Sequence, residues 1–164
     1  MNGAVTGRVS VASSGPVSGG LHLLARLGGQ AIAVPAEAVE SVVDIEAVVP
    51  APCSHPAVRG LAALRSRVVT VVDTWQLLNL RRGEGEVQRA IITVVDGHHH
   101  AMLVDTLDDV APLDVTPIPA GLALGPRWSR VATGAAERNG EPLLVIDLAA
   151  LVGAMAHGVD FAPD

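Results

Sequence analysis

Aromatic side chains are nearly missing from this sequence: one Phe, two Trp and no Tyr in 164 residues. Any core must therefore be built from Val, Leu, Ile and Ala, and the surface has few rings on which a sugar or a nucleic-acid base could stack. Lysine is absent too, all eleven basic residues being Arg, and the formal charge of −6 opposes the basic face that a phosphate backbone selects. Nucleic acid is thus excluded as an expected partner, while the Arg forks remain suited to carboxylates on another protein. The single Cys53 cannot close an internal disulfide. No N-terminal stretch combines basic residues, a continuous apolar run and a small-residue cleavage site, so a reducing cytosol is the expected compartment. Every apolar run is broken by charge, Gly or Pro well before the ~20 residues a spanning helix needs, so no direct membrane insertion is expected.

What is present reads as strands and turns. Residues 1–20, rich in Gly, Ser and Ala, are expected to form a flexible tail, with a short strand at Arg8 to Val11, and residues 157–164 a C-terminal one. Leu21 to Leu27, Gly28-Gly29 and Gln30 to Val34 spell two strands around a tight turn, stopped by Pro35. Val39, Val42 and Val43 then fall at helical intervals, predicting a short helix or turn with one apolar face. Pro50, Pro52 and Pro56 forbid regular structure between Val48 and Pro56. A second hairpin follows, Arg59 to Leu64, a turn at Arg65-Ser66, and the β-branched run Val68 to Val72. Asp73 can cap a helix through Leu80 that buries Trp75, Leu77 and Leu78.

After the charged, glycine-bearing separator Arg81 to Glu86 the same order recurs. Gly60 and Gly134 each precede an Asp by thirteen positions, Asp73 and Asp147, and each Asp has a Leu four residues on, Leu77 and Leu151. Ser66 falls opposite Gly140 at the same offset of 74, and Ala31 to Val34 parallels Ala101 to Val104. The domain of residues 21–156 is therefore read as two pseudo-repeats, about 21–82 and 88–153. Each supplies hairpin, connector strand, hairpin and helix, about five strands, enough to curl into a small barrel and hide its edges. The expected fold class is all-β, two five-stranded barrels packed together with short helices.

The string from Val58 to Leu80, with Gly60, Leu64, Arg65 and Asp73 in register, resembles the signature segment of the CheW family of chemotaxis adaptors. Pro50-Ala51-Pro52, the segment Ala90 to Asp105 ending in Leu103-Val104-Asp105, Val110, and the closing Gly134 to Leu151 also fall in family order, covering roughly residues 21–153. The resemblance implies two SH3-like barrels, with strands that can be exchanged between them. It also implies a non-catalytic role, coupling the hairpin tip of a chemoreceptor's cytoplasmic region to the regulatory domain of a CheA-type histidine kinase. The partner-binding residues it points to are Val39, Glu40, Ser41, Val42, Gly60, Arg65 and Ser66. Two departures stand in this segment: the family's Arg-Gly turn is Arg65-Ser66, and its strand Pro is Thr70. If φ is positive at Ser66, the replacement costs on the order of 1 kcal/mol. The family's Val, Gln, Glu, Ile pattern reads Val39, Glu40, Ser41, Val42, which moves the carboxylate by one place.

Each candidate has a plainer reading beside it. Arg65 is either a partner-binding guanidinium at a hairpin tip or a solvated turn residue, and Val39 with Val42 is either a binding strip or core. His98-His99-His100 invites a metal site, of which only His98 and His100 share a strand face; a polar hairpin tip is the simpler reading. Asp105, Asp108 and Asp109 lack calcium-loop spacing and read as a helix cap or solvated turn. No Gly-x-Ser-x-Gly elbow or phosphate loop is present, Ser13-Ser14 lie in the tail, and Cys53 with His55 is a weak pair, so no catalysis and no cofactor are expected. The alternatives are a CheW-like module in another kinase pathway, or a double-barrel ligand- or metal-binding protein using His98 and His100.

Overall fold

The computed structural model describes residues 19–51, 55–81 and 88–156. The strand expected at Arg8 to Val11, Cys53, most of the separator and the C-terminal tail lie outside the described residues. Ten strands make two five-stranded sheets, each curled as an SH3-like barrel, and short helices fill the connections. In chain order these are β1 (Gly20–Leu27), β2 (Gln30–Pro35), a 3₁₀ turn at Ala36–Ala38, β3 (Ser41–Ile45), β4 (Val58–Leu64), β5 (Arg67–Val72) and α1 (Thr74–Leu77). The second half runs β6 (Gln88–Val95), β7 (His98–Val104), β8 (Thr106–Leu113), α2 (Gly125–Val131), β9 (Ala132–Arg138), β10 (Glu141–Ile146) and α3 (Leu148–Ala156).

The order hairpin, connector, hairpin, helix recurs as the sequence implies, yet neither repeat builds its own barrel. The first sheet runs β8-β1-β2-β10-β9 and the second β3-β6-β7-β5-β4. Each barrel thus takes its first hairpin from one repeat and its connector and second hairpin from the other, joined by a parallel pair, β2 with β10 and β7 with β5. Registers give the correspondence: Ile32 lies beside Leu144, and His100 beside Thr70. Second hairpins match at an offset of 74, so first hairpins match at 68, two fewer than the spacing of Ala31 and Ala101 implied.

The two glycines singled out by spacing close the barrels. Past β3, Val49 bridges Leu61 of β4; past β8, Thr116 bridges Ala135 of β9. A Cβ on Gly60 would stand 2.1 Å from the Val49 carbonyl oxygen, and one on Gly134 would stand 2.6 Å from Val115 Cγ1 and 3.0 Å from the Thr116 oxygen. Only a residue without a side chain lets the closing segment pass. The matched aspartates are both helix caps. Asp73 accepts from the backbone N–H of Gln76 at 3.0 Å, and Asp147 from those of Ala149 and Ala150 at 2.9 and 3.3 Å. α1 is a single turn, ended where Asn79 takes a left-handed backbone (φ 56°) and so shorter than the helix expected through Leu80, but it buries Trp75, Leu77 and Leu78 as read.

One face of the first sheet buries Leu24, Ala31, Ala33, Ala111, Leu113, Ala136, Leu143 and Val145. Its other face, with Leu23, Leu27, Ile32, Val34, Leu144 and Ile146, joins a large cluster shared with the second sheet and α3. The run 143–146 is buried throughout, as its unbroken apolar character requires, whereas Val68 at the head of the run 68–72 is 61% exposed. Asp105 ties the barrels where the chain passes from β7 to β8. Its carboxylate accepts from Trp75 Nε1 at 2.5 Å and from the Gly29 N–H at 3.0 Å, so the expected helix cap is instead an inter-barrel link.

Candidate functional site

The segment after the first hairpin is not helical. The 3₁₀ turn ends at Ala38 and Ser41–Ile45 continues as β3, paired with β6 from Ser41 opposite Ile92 to Ile45 opposite Gln88. Burial then alternates, Ile45 being inside while Val42 points out, 42% exposed. Val39 is half-buried and packs on the main core, so the proposed apolar strip divides: Val39 serves the interior and Val42 the surface. Glu40 and Ser41 are exposed.

The hairpin β4–β5 carries the other candidates. Its two-residue turn places positive φ at Arg65 (52°) and not at Ser66. The expected strain thus sits one residue earlier than the sequence comparison placed it. The matching turn in the first sheet, Asn139-Gly140, has φ of 52° and 82°, both on residues that tolerate it. Among the described residues with positive φ, Arg65 alone is neither Gly, Asn nor Asp. Both turn residues are exposed at the tip. Gly60, by contrast, is buried beneath Val49 and Pro50, so its requirement is steric and offers a partner no surface.

Glu40 brings these two stretches together. Its carboxylate pairs with Arg67 Nη1, at the foot of the β4–β5 turn, and with His99 Nε2 at 2.9 Å on β7. The entry to β3 and the Arg65 hairpin therefore meet at one end of the second barrel. The opposite, outward face of β4 and β5 carries exposed apolar side chains, Leu61 at 42%, Val68 at 61% and Val49 across from Leu61 at 68% exposure. Arg67, His99, Leu61 and Val68 were not among the residues singled out by sequence. The period-two alternation of β5 could have exposed Val68; the pairing of Glu40 with residues 27 and 59 positions away leaves no local signal.

The histidine run is the start of β7, not a hairpin tip; the tip is Asp96-Gly97. His98 is exposed, His99 turns to Glu40, and His100 is half-buried with its Nδ1 unpartnered, burial lowering its pKa below the ordinary imidazole value. Among the described residues no three His, Cys, Asp or Glu converge to hold a metal, so His98 and His100 lack further ligands.

Two open cavities mark the surface. One, of about 290 Å³, is lined on the first barrel by Asp108, Asp109, Arg138 and Glu141, of which Arg138 pairs with Asp109 and Glu141 with Arg26 outside the rim. The Val110 N–H and Arg138 hold the Asp109 carboxyl below the usual range. The other, of about 280 Å³, lies at the junction of the barrels, between the 3₁₀ turn, the end of β6 and the start of α3.

The architecture defines the class: two SH3-like barrels with exchanged strands around a shared core. The chain belongs to the CheW-like domain family, which matches it over residues 21–155. The crystal structure of the scaffolding protein TtCheW from Thermoanaerobacter tengcongensis superposes with a TM-score of 0.71 at 20% identity, covering 81% of this chain and 92% of that one. Comparison with curated proteins found no match. Among the described residues no helix is long and apolar enough to cross a membrane.

Proposed function

We propose that this chain is a non-catalytic adaptor that couples chemoreceptors to a CheA-type histidine kinase through protein–protein contacts. It acts in the cytoplasm and is recruited to receptor arrays at the membrane. The observation that carries the reading is the Glu40–Arg67 pair, which ties the β3 entry to the foot of the exposed Arg65 hairpin at one end of the second barrel. Exposed Val42, Leu61 and Val68 with Arg65 supply the apolar side chains and Arg from which docking surfaces are built. Membership of a family of scaffolding modules supports the same reading.

Within it, Val42, Ser41 and Arg65 with Ser66 face the partner, and Glu40 positions them. Signalling is then regulated by assembly, with weak individual contacts reinforced where many are linked. A pull-down with immobilised chain tests this: retention of a kinase regulatory domain or a receptor hairpin fragment is expected, and retention of neither by folded protein contradicts it.

A further inference from the structure

Each barrel has a mouth at the turn of its second hairpin, and the two mouths correspond residue by residue, yet one is stopped and the other open. In the second barrel the stopper is the Glu40 carboxylate, which pairs with Arg67 and accepts from His99 Nε2 at 2.9 Å. The offset of 74 between second hairpins puts Glu141 at the place of Arg67, and the offset of 68 between first hairpins puts Ala31 at the place of His99. The connectors keep the offset of 68, with Ser41 opposite Ile92 and Asp109 opposite Leu24, so Asp108 takes the place of Glu40. Both acidic residues stand at an irregularity in their ladder. The Glu40 N–H shares the Ile92 pairing with Ser41, and the β1–β8 register shifts beside Asp108.

With a methyl group where the imidazole would be, the mouth of the first barrel stays open as the cavity of about 290 Å³. Its floor is Leu24, Ala31 and Leu143, all buried members of that barrel's own core. A cavity of about 150 Å³ is enough to hold a benzene ring, so a five-membered ring fits with room to spare. Asp108, at the rim, is only partly engaged. One of its oxygens accepts from Thr106 Oγ1 at 3.1 Å, and the other stands 3.7 Å from Arg26 Nε, beyond hydrogen-bonding reach. Arg26 gives its Nη2 instead to both oxygens of Glu141 at 2.8 Å, and Arg138 Nη2 goes to Asp109 at 2.9 Å. Three carboxylates thus share two guanidiniums here, whereas in the second barrel Glu40 has both Arg67 and His99. The first mouth lacks one flat, N–H-bearing cation.

We propose that the mouth of the first barrel binds a small, free imidazole base as its cation, the ring lying over Leu24, Ala31 and Leu143 and a ring N–H donating to Asp108 as His99 donates to Glu40. An ionised carboxylate only accepts, so the ligand supplies the proton, and an imidazolium has two N–H groups to offer. A bond between a cationic donor and a carboxylate is about twice as strong as a neutral one, while the excess of negative charge at the rim disfavours anions. The volume matches the smallest ligand pockets, with an apolar floor and a few polar groups at the edge. The site lies on the barrel that does not carry the Arg65 hairpin, and it stands independently of the adaptor reading.

The probe is imidazole itself, titrated into the full chain at about pH 6, where it is mainly the cation, and followed by amide NMR. Saturable shifts centred on Leu24, Ala31 and Leu143 are expected. They should be lost in Ala31→His, which supplies the missing ring, and the affinity should fall about fivefold or more in Asp108→Asn. Pyrazole, of the same shape but neutral at this pH, should bind about fivefold or more weakly than imidazole. Shifts that centre elsewhere or do not saturate overturn the site, as does a titration left unchanged by Asp108→Asn or by folded Ala31→His. Pyrazole binding as tightly as imidazole would reveal an apolar hole with no preference for a cation, and overturns the proposal too. Asp108→Asn alters an exposed side chain, so it decides the matter if Ala31→His does not fold.

Discussion

Arg65 holds a left-handed backbone at a position where its counterpart, Asn139, is a residue that adopts it at little cost. A bulky side chain kept at positive φ stores strain of order 1 kcal/mol, and such strain persists where a side chain is needed for something other than folding. Arg65→Asn is therefore expected to raise stability by a few tenths to about 1 kcal/mol in urea melts while weakening partner binding. A loss of stability with binding intact would show that the tip is an ordinary solvated turn. His100 acts in the opposite sense. Burial lowers its pKa, so as pH falls through the ordinary value of 6.5 the unfolded chain takes the proton first and stability is lost until the folded pKa is passed. His100→Gln should flatten stability against pH between about 7 and 5 in melts at several pH values; an unchanged slope would place the pH response elsewhere. Residues with one stereochemical job were legible in sequence. Asp73, Asp147, Gly60 and Gly134 were found by spacing alone, because a cap or a close approach tolerates few residue types. Which turn residue takes positive φ was not, since that depends on the twist of the flanking strands.

Elements were legible where turn chemistry or alternation was strong. Gly28-Gly29 announces the first hairpin, and the β-branched run announces β5. The stretch from Val39 misleads because three valines at i, i+3 and i+4 fit a helix, while the strand that forms is only five residues long and its register rests on Ile45. The region from Asp114 to Val131, which holds α2, offered no period to read. Closure of the second barrel depends on Val49 crossing over Gly60, with φ at +146° and no room for a Cβ. Gly60→Ala should cost at least about 2 kcal/mol. Gly29→Ala, at positive φ but with open space around its Cβ, should cost about 1 kcal/mol. Equal losses in denaturant melts would mean that the crossing segment yields, and that closure is not what the glycine protects. The Glu40–Arg67 pair is worth less than about 1 kcal/mol to stability because both side chains are over a third exposed. Its consequence is positional, holding the start of β3 against the β4–β5 hairpin.

For the whole molecule, the duplication was visible in sequence but its pairing was not. Each repeat carries the same order of strands, and nothing local distinguishes a repeat that closes on itself from one that exchanges its first hairpin with its twin. Pairing is a property of the shared core, in which faces of both sheets are buried against each other. The exchange also explains how His99, from the second repeat, comes to meet Glu40 of the first.

The most direct measurement of the adaptor role is titration of the purified chain with a CheA-type regulatory domain and with a receptor hairpin fragment, singly and together, with Arg65→Ala as control. The account predicts that each partner binds, that both can be held at once, and that the control weakens at least one contact by about 1 kcal/mol or more. A folded chain that binds neither partner would contradict it.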